Sequence, residues 1–336
     1  MKKVEIGKKK IGDDETFIIV DIGSNHGGDL DQAKRLVDVS AEAGVDAVKF
    51  QSYDGDSLYT TKNSAHKLLE KYSLPKEWHF ELDEYCIEKG VEFCSSVFDY
   101  ERLEWLEEVD VPFHKIASGD ITYLPFIEEI AKTGKPIILS TGTATLGEVE
   151  EALNTILDAG NDQIVLLHCV TRYPTEVEEA NLAAMDTLEQ AFNFPVGFSD
   201  HTESTVIPAC AVSMGAKVVE KHITLDEDLD TPDHSFALKP DELKEMVDQI
   251  RTAEDIIGTG NKRPTEYEKE RSRTTARRSI HTKEVIKEGE TITKDKLKVV
   301  RPAEGLPPKY LPKVFGKKAS KDLEAEQTID FDCLKW

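Results

Sequence analysis

Eight short apolar runs in this 336-residue chain each end on residues able to do chemistry. In chain order the ends carry Asp21 with Ser24, Asn25 and His26; Lys49 and Gln51; Ser95 and Ser96; Lys115 and Ser118, with Asp120 just beyond; Ser140 and Thr141; His168 with Thr171; Ser199, Asp200 and His201; and Lys221 with His222. One polar end would be a strand running out into a turn. Eight of eight mark a site. Lysines supply charge and hydroxyls supply directional donors, so this set makes a cradle for an oxyanion. A lysine inside an apolar run needs a partner, because an unpaired buried ammonium is expensive. A salt bridge to a nearby carboxylate explains Lys49 or Lys115 alone; the two together favour an anion site.

His201 and His222 close adjacent runs, and neighbouring strands stand roughly 5 Å apart. Two imidazoles at that separation can share a divalent metal and leave positions for water or substrate oxygens. Mixed nitrogen and oxygen ligation suits Mn, Co, Fe or Zn better than Ca. The competing reading is a pair of hydrogen-bonded histidines. His168 either supports the site or packs, and His26 serves to fix the loop after the first run. Asp21 and Asp120 are candidates for a general base or for orienting a carbonyl, unless they only neutralise the lysines.

The runs that must position these groups are FIIVD (17–21), AVKFQ (47–51), VEFCSS (91–96), FHKIAS (113–118), PIILST (136–141), IVLLHC (164–169), PVGFS (195–199) and KVVEKH (217–222). Near-continuous apolar segments of this length are expected of parallel strands buried on both faces. Helix-period segments lie between them, as in Ala33, Leu36, Val37 and Ala41, or Leu243, Met246, Val247 and Ile250. Eight strands alternating with helices over about 250 residues predict a (β/α)8 TIM barrel, whose chemistry gathers at the C-terminal strand ends. A doubly wound sheet is the runner-up, but GSNHGG after the first run does not fit the G-x-G-x-x-G of a nucleotide loop. Residues 1–16 predict a short N-terminal hairpin covering the bottom of a barrel domain that spans 1–260. Residues 261–278 predict a linker, with eight basic against three acidic residues between Lys262 and Lys283. Short β-like pieces over 279–336 predict a small β-rich second domain, marginal alone.

Composition excludes some partners. Apolar residues at 39% and charged residues at 32% suit a soluble globular protein, and the formal net charge is -23. Such a surface repels nucleic-acid phosphates and anionic lipid, so no nucleic acid and no membrane partner is expected. No run approaches the roughly 18 apolar residues of a membrane span, and MKKVEIGKKK lacks the apolar core of a secretory signal. Five scattered cysteines without a CxxC pair predict reduced thiols and a cytoplasmic location.

The motifs IVDIGSNHGG, AVKFQSY, HKIASGD, PIILSTGTAT, LLHCVTRYPT, VGFSDHT, VVEKHIT and TPDHSFALKP occur in this order. As a set they resemble the sialic acid (N-acylneuraminate) synthases, and SIHTKEVIKEGETIT with VVRPAEGLPP resembles their C-terminal antifreeze-like (SAF) domain. The resemblance covers nearly the whole chain. It implies condensation of phosphoenolpyruvate with an N-acylated amino-hexose, giving a nine-carbon 2-keto acid and phosphate. Carried over by motif, Lys49, Ser96, Lys115, Ser118, Ser140, Thr171 and Ser199 would hold phosphoenolpyruvate. His201 and His222 would bind the divalent metal, Mn in the first place with Mg or Co as alternatives. Gln51, Tyr173 and Asp233 would lie along the sugar, and Arg301 would reach a partner's site in a domain-swapped homodimer. Asp21 stands where the family usually has Glu, and Asp120 where many members do; each carboxylate is withdrawn by about 1.5 Å. Thr171 replaces an Asn or Ser and Ser96 a Thr, with the hydroxyl kept. The acceptor is left open between N-acetylmannosamine, its 6-phosphate and a diacetamido-trideoxyhexose. Rival readings are a lysine Schiff-base aldolase using Lys49 or Lys115, and a non-catalytic glycan-binding protein.

Overall fold

The computed structural model describes residues 3–12, 15–61, 63–225 and 231–336. They divide into two compact units, one up to Gly258 and one from Thr259 to Trp336.

The first unit opens with a hairpin, β1 (Val4–Ile6) antiparallel to β2 (Lys9–Ile11). Eight parallel strands follow: β3 (Phe17–Asp21), β4 (Ala47–Ser52), β5 (Glu92–Val97), β6 (His114–Ile116), β7 (Ile137–Ser140), β8 (Ile164–Cys169), β9 (Val196–Asp200) and β10 (Val218–His222). They pair in sequence order and β10 returns to β3, so the sheet closes into a barrel. The predicted runs coincide with these strands to within a residue or two, except that β6 is cut short. There Ser118–Asp120 forms a tight 3-10 turn, with Asp120 N–H donating to Ala117 O.

Helices between the strands begin and end where local chemistry dictates. Asp29 accepts from Gln32 N–H to start Leu30–Ala43, which stops at Gly44 in the left-handed region, φ 90°. Thr145 and Glu148 form a reciprocal capping box for Leu146–Asp158.

Side chains alternate along each strand, so parity separates two worlds. Outward residues such as Ile18, Val20, Val48, Phe50 and Leu166 pack against the helices. Inward residues of the lower layers, Phe17, Ile19, Ala47, Cys94, Phe113, Ile138, Val165, Leu167 and Val218, form one apolar cluster with Val4, Ile6 and Ile11 of the hairpin. The hairpin therefore floors the barrel. Above this floor the inward positions turn polar.

The second unit pairs β11 (Ser279–Thr282) with β12 (Leu297–Val300) and β13 (Lys318–Ala319) with β14 (Leu334–Lys335), both antiparallel. Ile280, Ile286, Ile292, Val314, Leu323 and Ile329 are at the centre of its small core. The expected linker carries helical turns at Glu268–Ser272 and Arg273–Thr275 with no buried residue, and clusters with this unit. No helix among the described residues is long and apolar enough to cross a membrane, and all five cysteines are free.

Candidate active site at the barrel mouth

The upper inward positions face one cavity of about 660 Å³. Register explains the convergence. Asp21 pairs with both Lys49 and His222, Ser96 with Gln51 and Lys115, and Ser199 with Cys169 and Glu220. Each of these groups projects from a strand end held on both sides by a neighbouring strand.

At the bottom of the cavity two buried lysines are braced by carboxylates and hydroxyls. Lys49 Nζ donates to Asp21 Oδ2 at 2.5 Å and to Ser96 Oγ at 3.3 Å. Lys115 Nζ donates to Ser140 Oγ at 2.7 Å. Glu220 stands between them, its Oε2 4.0 Å from Lys49 and 3.8 Å from Lys115, while its Oε1 accepts from Ser199 Oγ at 2.8 Å. Oε2 is buried with no hydrogen-bond partner. Burial works against the charge on Glu220, but the two ammonium groups outweigh it and hold its carboxyl below the usual range. Burial also works against Lys49, yet Asp21 and Glu220 raise its pKa. For Lys115 burial wins over Glu220 and the pKa is lowered. The two lysines are therefore not equivalent.

Beside Lys115 a second group of hydroxyls surrounds Gly142. Gly142 N–H donates to Ser118 Oγ at 3.0 Å, and Ser118 Oγ lies 3.1 Å from Cys169 Sγ. A Cβ built on Gly142 would stand 2.3 Å from Thr171 Oγ1, 2.7 Å from Ser118 Oγ and 3.0 Å from Cys169 Sγ. Only glycine leaves these groups where they are.

The two imidazoles form one wall. The rings of His201 and His222 are 5.5 Å apart between centroids, with Phe236 against both and Tyr173 against His201 at 4.5 Å. His201 Nδ1–H donates to Val170 O at 3.1 Å, which leaves its Nε2 as a lone-pair donor. Burial pushes His201 down to about 3, so its ring is neutral. His222 Nε2 lies 3.2 Å from Asp21 Oδ2, and its Nδ1 is buried without a partner. A neutral ring and an orphaned ring nitrogen fit a divalent metal held by two imidazoles. Among the described residues no group of three metal-ligating side chains assembles.

The two aspartates differ. Asp21 is saturated: Oδ1 accepts Gly23 N–H at 2.9 Å, and Oδ2 accepts Gln51 Nε2 at 3.2 Å besides Lys49. Burial alone would raise its pKa, but His222 and Lys49 bring it down to about 2. Asp120 also lines the cavity, and burial pushes it up to about 6 against the pull of Lys115.

Parity also removes several residues from the mouth. Lys221 and Asp200 face outward and pair at 2.7 Å, both fully buried. Ser95 bonds to Ser52 outside the barrel, and Thr141 donates to Leu167 O. His168 packs on Phe198 and donates to Ala180 O at 3.0 Å, so it is a packing histidine. Asp233 is half-buried next to Pro232, which lines the cavity, and its Oδ2 accepts both Ser24 N–H and Ser24 Oγ–H at 2.7 Å. Arg301 is exposed at the end of β12, on the second unit. Sequence reasoning missed Glu220 and Cys169. For Glu220 a signal was there: it is two residues before His222 and so must share its face.

A parallel eight-stranded barrel with lysines and hydroxyls gathered at its C-terminal mouth, two imidazoles on the wall and a separate small β unit is the class of protein the fold and cavity define. The NeuB family model matches residues 36–262 and the SAF domain model matches 277–335; the chain belongs to the NeuB family. It is 39% identical to N,N'-diacetyllegionaminic acid synthase of Campylobacter jejuni over 94% of this chain and 99% of that protein. Among solved structures it is similar to N-acetylneuraminic acid (sialic acid) synthetase from Leptospira borgpetersenii, with TM-score 0.77, 36% identity, and 80% and 94% of the two chains covered. It is similar also to spore coat polysaccharide biosynthesis protein SpsE from Bacillus subtilis, with TM-score 0.71, 39% identity, and 100% and 99% covered.

Proposed function

We propose that this chain condenses phosphoenolpyruvate with an N-acylated amino-hexose to a nine-carbon 2-keto acid of the sialic, legionaminic or pseudaminic type, releasing inorganic phosphate. The observation that carries this reading is the cradle of Lys49, Lys115 and hydroxyls closed on one side by His201 and His222. Lys49, Ser96, Lys115 and Ser140 grip one end of the enol phosphate, and Ser118, Thr171 and Ser199 complete the ring of donors. His201 and His222 would hold a divalent metal, Mn before Mg or Co, which would supply Lewis-acid polarisation of the sugar's aldehyde oxygen. Carbon–carbon bond formation from the enol carbon to the aldehyde carbon leaves positive charge at C2, where water adds. Asp120, whose pKa burial raises to about 6, accepts one proton of that water, and this proton passes on to the former aldehyde oxygen, which becomes a hydroxyl. Asp21, saturated by Lys49, Gln51 and Gly23, anchors the lysine rather than moving protons. The C2 hydroxyl then gives its proton to the departing phosphate as the carbon–oxygen bond breaks, and C2 becomes a ketone. Lys49 and Lys115 hold the accumulating negative charge.

Gln51 and Tyr173 border the acceptor's end of the cavity. The same proposal includes a homodimer and a role for Arg301 toward the acyl group, for which Arg301→Ala raises the acceptor's KM.

The test is phosphate release from phosphoenolpyruvate with each candidate sugar and Mn, with the product weighed by mass spectrometry. Release that depends on the sugar supports the reading. No release with any acceptor sinks it. The lowered pKa of Lys115 favours a second reading, a Schiff-base aldolase; a borohydride-trapped pyruvate adduct would select it.

A further inference from the structure

His201 and His222 can share one ion only if their rings keep a fixed separation, and the contacts of the rings themselves do not set it. His201 is tied to the β8 side: its Nδ1–H donates to Val170 O at 3.1 Å, and its own carbonyl accepts Thr175 N–H at 2.9 Å. His222 is tied elsewhere, to Asp21 at 3.2 Å and, through its carbonyl, to Leu238 N–H at 2.9 Å. The ladder between β9 and β10 stops at Asp200 opposite Lys221, one residue short of both rings.

That last rung is unlike the one beneath it on the same outer face. Two residues down, Val219 stands opposite Phe198, and both belong to the apolar layer under the helices. Beside the histidines the rung is instead an ion pair with wholly buried side chains, Lys221 Nζ donating to Asp200 Oδ2 at 2.7 Å. Lys221 Nζ also donates to Thr202 O. Asp200 in turn accepts Thr202 N–H at 2.9 Å on Oδ1 and Thr202 Oγ1–H at 3.1 Å on Oδ2. An ammonium carried by β10 therefore grips the chain leaving β9 on both sides of His201, at residues 200 and 202.

Stability does not account for this pair. Desolvating two charges costs about what their attraction returns, and a well-packed apolar pair would hold the sheet as well. What an apolar pair lacks is direction, and four directed bonds on Asp200, Lys221 and Thr202 fix where one strand end lies against the other.

Resting on the proposed condensation and its two-histidine metal site, we infer that Lys221 and Asp200 are positioning residues. From outside the barrel they lock the ends of β9 and β10 together, set the separation of His201 and His222, and with it the affinity for a divalent ion. Neither touches substrate or ion; both act through the imidazoles.

The experiment measures Mn binding to the full chain without substrates, by loss of the electron paramagnetic resonance signal of the free aqua ion, beside a melting curve. The variants are Asp200→Asn, the double variant Asp200→Asn with Lys221→Met, and Ser95→Ala. In the double variant Asn keeps an acceptor for Thr202 N–H, Met keeps the volume of the lysine stem, and no charge is left buried and unpaired. Ser95→Ala is the control, since it breaks a 2.6 Å contact with Ser52 that is also outside the barrel but on β4 and β5. The expected result is a Mn affinity about ten- to a hundredfold weaker in the double variant, the usual cost of losing support behind a metal-ligating histidine. Asp200→Asn loses less in the same direction and, being isosteric, decides alone if the double variant does not fold. Ser95→Ala keeps its Mn affinity whatever its melting point. Sugar-dependent phosphate release by the double variant recovers in excess Mn, with the KM for phosphoenolpyruvate unchanged. Full Mn affinity in the folded variants overturns the inference and leaves the metal site standing, and so does an equal loss in Ser95→Ala. An unaltered chain that binds no Mn, or binds it as well after His201→Ala, overturns the metal site and the inference with it; phosphate release by the unaltered chain reports separately on the condensation.

Discussion

Gly142→Ala tests the anion cradle with a single methyl group. Gly142 does not occupy the left-handed region, so alanine enters without backbone strain and the cost falls on its neighbours. The new carbon would stand 2.3 Å from Thr171 Oγ1 and 2.7 Å from Ser118 Oγ. Thr171 is exposed and can rotate; Ser118 is held by Gly142 N–H at 3.0 Å and has less room to move. At least one hydroxyl must therefore leave the cradle. A hydrogen bond to a charged ligand is worth about 1.5–3 kcal/mol, so losing one raises the KM for phosphoenolpyruvate by about ten- to a hundredfold. Overpacking adds a stability cost of about 1–3 kcal/mol, a drop of several degrees in Tm. The assay is steady-state phosphate release with the acceptor saturating, beside a melting curve. If Thr171 is the displaced group, adding Thr171→Ala to Gly142→Ala costs no more than Thr171→Ala alone. A lowered Tm with an unchanged KM for phosphoenolpyruvate would refute the assignment of this corner to the anion.

Three further outcomes are expected. Glu220→Gln removes the strongest group opposing burial at Lys115, so the lysine loses its proton at lower pH; kcat/KM for phosphoenolpyruvate then declines with rising pH earlier than in the unaltered enzyme, and denaturant unfolding shows a loss of about 3–5 kcal/mol for breaking a buried pair. Asp120→Asn removes the acid limb of the pH–rate profile near pH 6, because only the carboxylate accepts a proton. A folded-state pKa raised from 3.8 to about 6 gives stability at low pH that is lost as pH rises through that window, so the same variant melts higher at pH 7; a lower melting point would argue against a strained carboxylate. His201→Ala and His222→Ala, like dialysis against a chelator, abolish sugar-dependent phosphate release, and full rate in chelator for either variant removes the metal from the proposal.

The fold was legible because parallel strands covered on both faces read as continuous apolar runs, and their polar ends could be picked out by eye. What the runs do not show is which of two adjacent polar residues points inward. Lys49, Lys115 and Lys221 all interrupt or end apolar runs, yet the first two enter the cavity and Lys221 pairs outward with Asp200. Applying the two-residue period from His222 would have rejected Lys221 and selected Glu220. The apolar part of the cavity lining was not legible, because Leu58, Tyr59 and Leu68 are in an excursion after β4 whose aim depends on the contacts of Gly55 with His66 and of Asp54 with Arg102. Asp233 was legible only through its motif; the hydrogen bonds from Ser24 N–H and Oγ–H to its Oδ2 join residues more than two hundred positions apart and have no signal in the sequence.

The shortened acid at position 21 acquires a physical meaning from these contacts. A carboxylate close to its own backbone can accept Gly23 N–H in the same turn and still reach Lys49 across the register. A glutamate there would carry the charge one carbon further, onto an ammonium already at 2.5 Å, and would give up the Gly23 bond. Asp21 is thereby a fixed counter-charge that keeps Lys49 protonated. In the proposed reaction proton transfer would then fall to Asp120, which also lines the cavity and whose pKa burial raises to about 6. Two carboxylates in one cavity are thus driven apart in pKa by their surroundings, Asp21 down by His222 and Lys49 and Asp120 up by burial, which is the separation that the proposed division of roles requires.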